Sequence, residues 1–163
     1  MSNIIPSLRT TRPTPRPGAL FGVLILAACT LLAACSAAPK PHLRSLDVAA
    51  AFDANQNTPT ALDLVFVYDV AALERLPGAG PQWFEHKAAL SGELGNAVDI
   101  VALQIPPGSV LDVALPSRRD QAIAVFSYAN YVDKAGHPRG TLTGFGKMRI
   151  QLASDRVDYI GEQ

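Results

Sequence analysis

Apolar and polar residues alternate along most of the chain after residue 43, with the period of two that is typical of half-buried β-strands. Ala97–Ile105 differs, because it is a continuous apolar run, which predicts a fully buried central strand. The predicted strands, in chain order, are Leu46–Phe52, Ala61–Tyr68, Ala97–Ile105, Leu111–Leu115, Gln121–Val132, Lys147–Leu152 and Arg156–Ile160. The alternation places on one face Leu46, Val48, Ala50 and Phe52 of the first strand, Leu62, Leu64, Phe66 and Tyr68 of the second, and Met148, Ile150 and Leu152 of the sixth, and these faces are predicted to point inward. About seven short strands separated by turn residues predict a mainly β fold, an antiparallel β-sandwich.

Between the second and third predicted strands, the spacing of apolar residues changes from the period of two of a strand to the three- and four-residue spacing of a helix. Val70–Leu76 is made of good helix formers, and Pro77–Gly80 breaks the pattern. Pro81 suits the first position of a second helix, Gln82–Leu90, because that position needs no N–H donor. We therefore predict a short helical insert. Trp83 and the following Phe84 either form an exposed recognition pair or pack the insert onto the sandwich, and packing is the favoured interpretation.

The first 35 residues have the layout of a secretory signal peptide. A basic segment with Arg9, Arg12 and Arg16 precedes an apolar core that starts near Gly18, and small residues follow. The ending Leu31-Leu32-Ala33-Ala34-Cys35 resembles the lipobox of bacterial lipoproteins. That resemblance implies cleavage of a leader over 1–34 and acylation of Cys35. The following segment is small, proline-containing and non-periodic, which predicts a lipidated tether over 35–42. The alternating pattern places the β-sandwich domain over 43–163. Ser36 in second place implies transport to the outer membrane.

Three alternatives to acylation at Cys35 stay open. A transmembrane anchor needs about 20 apolar residues, and this run falls short. A secreted protein cut near Ala34 would keep a lone thiol, which an oxidising compartment disfavours. A second lipobox-like string ends at Cys29, but cleavage there leaves a shorter apolar core and exposes Leu31 and Leu32.

Charge and cysteine content restrict the partners of the predicted domain. The chain has 14 Lys and Arg against 14 Asp and Glu, and three of the basic residues lie in the leader, which leaves a net charge of about −3. No basic patch stands out, so no nucleic acid is predicted as a partner. Both cysteines lie in the leader or at its edge, so the domain contains no disulfide.

Residues with catalytic or metal-binding chemistry are dispersed. His42, His86 and His137 have no partner at ligand spacing, so no metal or other cofactor is predicted. Ser127 and His86 could be combined with an aspartate into a triad, but no nucleophile-elbow sequence accompanies them. Thr143–Lys147 contains glycines without the ending of a phosphate loop. We therefore predict that the protein is not an enzyme.

The order of motifs after Cys35 resembles the type VI secretion lipoproteins, the TssJ-like family. The matching segments are Asp53-Ala54-Asn55, Leu64-Val65-Phe66-Val67-Tyr68, Trp83–Leu90, Leu103–Ser109 and Gln121–Phe126. Together they cover most of residues 43–130. The chain departs from the family pattern at Asp69 and in its longer Val132–Gly146 segment.

This resemblance implies a transthyretin-like β-sandwich tethered to the inner leaflet of the outer membrane. Such lipoproteins bind the periplasmic part of a large inner-membrane secretion component, TssM-like, and so help assemble the envelope-spanning complex. The surfaces to consider first are the Asp53–Thr60 loop, the Ile105–Ser109 loop and the helical insert around Trp83.

Two rival functions remain at this stage. A generic envelope lipoprotein, pilotin-like or small-ligand-binding, would show a concave apolar pocket with convergent polar groups. A lipid-anchored hydrolase would need Ser127 and His86 within hydrogen-bond reach of each other.

Overall fold

The computed structural model describes residues 43–133 and 137–162, which form eight strands, two α-helices, a four-residue helical turn at Ala54–Asn57 and two 3₁₀ turns at Gly95–Ala97 and Arg119–Gln121. The predicted leader, the tether and Cys35 lie outside the described residues. The strands are β1 Ser45–Ala50, β2 Thr60–Val67, β3 Val98–Ile105, β4 Val110–Asp112, β5 Ala124–Asn130, β6 Gly140–Thr141, β7 Lys147–Leu152 and β8 Val157–Glu162. The helices are α1 Val70–Arg75 and α2 Gly80–Leu94, both between β2 and β3.

The strands form two four-stranded sheets that pack face to face. The first sheet has the order β4-β1-β7-β8 and the second the order β3-β2-β5-β6. All neighbours are antiparallel except β1 and β7, which run parallel over six residue pairs. The predicted mainly β sandwich with a helical insert is confirmed. The parallel pair is a departure from the predicted purely antiparallel arrangement, and it is possible because a long connection through the second sheet separates β1 from β7.

Apolar side chains from both sheets fill the space between them. β2 contributes Leu62, Leu64 and Phe66, while β7 contributes Met148, Ile150 and Leu152, as their alternation predicts. The opposite face of β2 is also buried, because Val65 and Val67 lie under the helices. The described domain therefore has three layers: the first sheet, the second sheet and the helical insert.

The helical insert is longer than predicted and lies on the outer face of the second sheet. Asp69 starts α1 by accepting hydrogen bonds from the backbone N–H groups of Ala71 and Ala72 at 2.8 and 3.3 Å. α2 extends over 15 residues where Gln82–Leu90 was predicted. Its first residue, Gly80, lies so close to β5 that an added Cβ would be 2.2 Å from the carbonyl oxygen of Ala129.

The apolar run Ala97–Ile105 was wrongly predicted as a central strand. Among the described strands, β3 is an edge strand that pairs with β2 alone, and several of its side chains are half-exposed. The error has a physical cause: one face of β3 borders the sandwich core and the other borders the helical layer, so neither face is strongly polar. The predicted strand Gln121–Val132 is shorter, because a 3₁₀ turn at Arg119–Gln121 precedes β5.

Candidate interaction surface

Four loops meet at one end of the sandwich. They follow β1, β3, β5 and β7, and we call this end the distal end. The first described residues, Leu43 and Arg44, lie at the opposite, proximal end, where the Arg44 N–H donates to the Gly146 carbonyl at 2.7 Å. We define the distal surface as Phe52–Asn57, Pro106–Ser109 and Val132.

The loop after β1 contains three consecutive residues in the left-handed conformation. Asn55, Gln56 and Asn57 have φ values of 47°, 56° and 59°. This conformation costs about 1–2 kcal/mol for each residue other than glycine, and asparagine tolerates it better than most. A left-handed turn of this length therefore persists only because its surroundings hold it in place.

Asn55 supplies much of that support, because its groups bond to two other loops and to its own loop. Its backbone N–H donates to the Ala153 carbonyl in the β7–β8 turn at 3.1 Å. Its side-chain oxygen accepts from the Val132 N–H after β5 at 2.6 Å, and its amide nitrogen donates to the Pro59 carbonyl at 3.4 Å. The residue itself is buried. Asn55 thus connects the loops of both sheets and fixes their relative positions.

Phe52 is the most exposed large apolar residue among those the structure describes, with 86% of its surface accessible. It follows β1, where the alternation of Leu46, Val48 and Ala50 wrongly predicted an inward position. The chain turns after Ala50, so Phe52 leaves the sheet and lies over Gly108, whose added Cβ would be 2.8 Å from the ring. Gly108 has φ +72° and donates its N–H to the Ala51 carbonyl at 3.0 Å.

Val132 adds a second exposed apolar side chain, 51% accessible, to the same surface. No local pattern indicates the exposure of Val132, since its position depends on the hydrogen bond to Asn55. The Asn-rich sequence after Phe52 did carry a signal, because asparagine is the residue most often found in left-handed turns after glycine. The structure thus joins the predicted Asp53–Thr60 and Ile105–Ser109 loops into one surface.

Trp83 does not contribute to the distal surface. Trp83 is fully buried and stacks on Tyr128 of β5, with ring centroids 4.8 Å apart. Its indole N–H donates to the carboxylate of Asp63 at 2.8 Å, and Lys87 pairs with the same oxygen at 2.7 Å. The packing interpretation of Trp83 is therefore confirmed, and these residues fasten α2 to the second sheet.

A separate polar cluster stabilises the proximal end. Arg118 donates two hydrogen bonds to the Asp99 carboxylate, and these bonds hold the pKa of Asp99 below its usual range. Tyr68 donates to the same carboxylate at 2.7 Å, and burial raises its pKa. The guanidinium also lies over the Tyr68 ring at 3.9 Å. All three groups are satisfied by one another, which indicates a structural role.

The residues of the rival catalytic hypothesis lie on opposite faces of the second sheet. Ser127 is buried between the sheets and bonds the Tyr159 hydroxyl at 2.8 Å, whereas His86 is exposed on α2 beyond the outer face. The hydrolase hypothesis is therefore wrong for this pair. Within residues 43–133 and 137–162, no group of His, Cys, Asp and Glu side chains has the arrangement of a metal site.

A ligand pocket between the sheets is also not supported, because apolar side chains fill that space. A hollow of about 490 Å³ lies instead on the open outer face of the first sheet. Its lining is mostly charged and includes Asp47, Asp112, Lys147, Arg149 and Glu162. Among the described residues, no helix is long and apolar enough to cross a bilayer.

Comparison with solved structures identifies the fold. The chain matches the T6SS lipoprotein TssJ1 from Pseudomonas aeruginosa with a TM-score of 0.56 and 18% identity, covering 76% of this chain and 98% of that one. It matches Serratia marcescens Lip, a membrane-bound component of the type VI secretion system, with a TM-score of 0.55 and 15% identity, covering 76% and 99%. The predicted TssJ-like fold is confirmed.

A third match is to a chain in a structure of the T6SS protein TssM C-terminal domain (869–1107) from EAEC. Its TM-score is 0.52 at 14% identity, and it covers 76% of this chain and all of that one. No protein-family model and no curated protein matches the sequence.

Proposed function

We propose that this protein is a lipoprotein of the outer membrane, anchored through acylated Cys35, that binds the periplasmic part of an inner-membrane secretion component of the TssM type. The distal surface is the proposed contact. The observation that carries the proposal is the exposed Phe52 beside a strained turn that Asn55 bonds to two neighbouring loops, at Val132 and Ala153. The likeness in fold to TssJ1 and Lip, and the match to a chain in a TssM structure, support it.

The positions of the two ends fit this role. Leu43, the first described residue, lies at the proximal end, and an eight-residue strand such as β2 spans about 25 Å. The distal surface therefore lies about one strand length from the residue at which the described domain begins. A rigid apolar surface also loses little conformational entropy on binding, which favours affinity for a small interface.

The proposal is tested by affinity recovery of the tagged full-length chain from detergent-solubilised envelope. The extract must contain the secretion component, shown by immunoblotting. Phe52→Asp places a charge at the centre of the proposed contact, and we expect recovery of the component to fall by at least about tenfold, the loss typical of an interface anchor residue. The matched control is Ile160→Asp, an exposed apolar residue on the outer face of the first sheet.

Equal recovery by Phe52→Asp and Ile160→Asp would exclude the distal surface as the contact. Absence of the component from the unmutated sample would reject the secretion role itself. The anchor is tested separately, by mass spectrometry of the amino-terminal peptide, which should begin at an acylated Cys35. A peptide beginning at Cys29 or Ser36 would contradict it.

A further inference from the structure

β3 presents a long edge that none of the described segments pairs with. The Tyr68 N–H donates to the Ala97 carbonyl at 2.9 Å, and β2 and β3 continue from that pair in unbroken antiparallel register over eight residue pairs. Hydrogen-bonding residues alternate along such a ladder. The backbone groups of Ile100, Ala102 and Gln104 therefore point away from β2, toward the free edge.

These outward groups have no hydrogen-bond partner among residues 43–133 and 137–162. The edge also lacks the usual features that prevent strand pairing, since β3 contains no lysine, proline or bulge. Its one charged residue, Asp99, is already paired with Arg118. Half-exposed Ile100, Val101 and Leu103 line the edge. Leu111, 40% accessible, lies on β4, the next strand in the chain and an edge strand of the first sheet.

We propose that the β3 edge pairs antiparallel with the β3 edge of a second copy of this chain, forming a continuous eight-stranded sheet. The strand sequence is self-complementary about Ala102. A two-fold axis at that residue places Ala102 opposite its counterpart, Val101 opposite Leu103, and Ile100 opposite Gln104. Every opposed pair then lies on the same face of both sheets, and no like charges meet.

The size of this contact determines where it forms. A strand of eight residues gives fewer contacts than the 20–30 residues per side of a standard stable interface. Pairing is therefore weak in dilute solution and needs chains held close together. Anchoring to a shared membrane surface raises the effective concentration in this way, so this inference rests on the proposed lipid anchor.

The test is disulfide trapping of the full-length chain in envelope membranes. In an antiparallel hydrogen-bonded pair, opposed Cα atoms are about 5.5 Å apart, within the range that a disulfide spans. We expect Ala102→Cys to give, on mild oxidation, at least about fivefold more covalent dimer than Gln151→Cys, because pairing at the edge holds the thiols together. Gln151 is a matched control, an exposed strand residue on the first sheet. The parent chain measures any contribution of Cys29 and Cys35.

A second variant separates pairing from random collision. Gln104→Pro removes an outward N–H without affecting the β2 ladder, and proline is tolerated at such edge positions. Added to Ala102→Cys, it should lower the dimer to the level of Gln151→Cys. Unchanged trapping in this double variant would overturn the inference, as would equal trapping at 102 and 151. Disulfide adducts of another size only would assign the edge to a different protein and also overturn it.

Fractionation of the same samples tests the anchor independently. A membrane-bound chain without the Ala102→Cys dimer overturns the pairing and leaves the anchor intact. Recovery of the chain in the soluble fraction rejects the anchor, and the same oxidation comparison on that fraction after concentration then decides the pairing.

Discussion

The outer face of the second sheet and the distal surface use large aromatic residues in opposite ways. α2 buries Trp83 completely, with its ring stacked on Tyr128 and its N–H bonded to Asp63. Phe52, in contrast, is 86% exposed, although the backbone that carries it is tightly held. The first region gains stability from burial, whereas the second keeps apolar area accessible on a rigid support. Substitutions should therefore separate stability from binding.

The largest loss of stability is expected for Trp83→Ala. It removes a fully buried side chain and leaves the Asp63 carboxylate without one of its donors, so the free energy of unfolding should fall by about 3–5 kcal/mol. Because Trp83 is the only tryptophan, unfolding is followed by circular dichroism in denaturant. Phe84→Ala, at a half-buried position on the same helix, should cost clearly less. Equal losses would show that α2 is not fastened through Trp83.

Asn55→Ala should affect both properties, since Asn55 links the distal loops to each other. The change leaves the Val132 N–H without its acceptor and puts alanine in a left-handed conformation, so unfolding should become easier by about 2 kcal/mol. Asn55→Asp is the informative control, because it keeps an acceptor oxygen and tolerates positive φ. Recovery of the secretion component should follow the same order, with Asn55→Ala below Asn55→Asp. A loss of stability with unchanged recovery would separate the turn from binding.

The alternation of apolar residues was sufficient to predict the sandwich, the insert and the inward faces of β2 and β7. It failed where burial depends on neighbours distant in sequence. β3 has the apolar pattern of a central strand because the helical layer shields part of its outer face. Only the strand order shows that one edge of β3 has no partner among the described strands. The inward position predicted for Phe52 assumed that β1 continues past Ala50, where the chain instead turns.

The distal surface could be predicted only in part for the same reason. The asparagines after Phe52 indicate a turn, and the Pro-Pro-Gly sequence before Ser109 indicates another. That the two turns meet follows from the position of β1 beside β4, which no local pattern encodes. The role of Asn55 depends on contacts with Val132 and Ala153, 77 and 98 residues away in the chain.

Thr60 lies where the distal turn joins the core, and its substitution should raise the free energy of unfolding, whereas substitution of Trp83 or Asn55 should lower it. The Thr60 hydroxyl is buried at the start of β2 and has no hydrogen-bond partner within the part of the chain that the structure describes. Thr60→Val keeps the shape and removes the unsatisfied group, so stability should rise by about 1 kcal/mol. Thr58→Val, at an exposed position of the same loop, should give no such gain. A lower midpoint of denaturation for Thr60→Val than for the parent chain would refute this expectation.

Phe52→Ala should change stability least while removing the contact that matters for binding. The side chain touches Gly108 but remains exposed, so the free energy of unfolding should stay within about 0.5 kcal/mol of the parent value. Recovery of the secretion component should nevertheless fall, because an exposed aromatic anchor contributes to a complex and not to the free fold. Measuring both quantities on Phe52→Ala and Trp83→Ala makes the comparison direct. If Phe52→Ala destabilised the fold as much as Trp83→Ala, the Phe52 side chain would contribute to the stability of the free protein, and its exposure would carry no information about a partner.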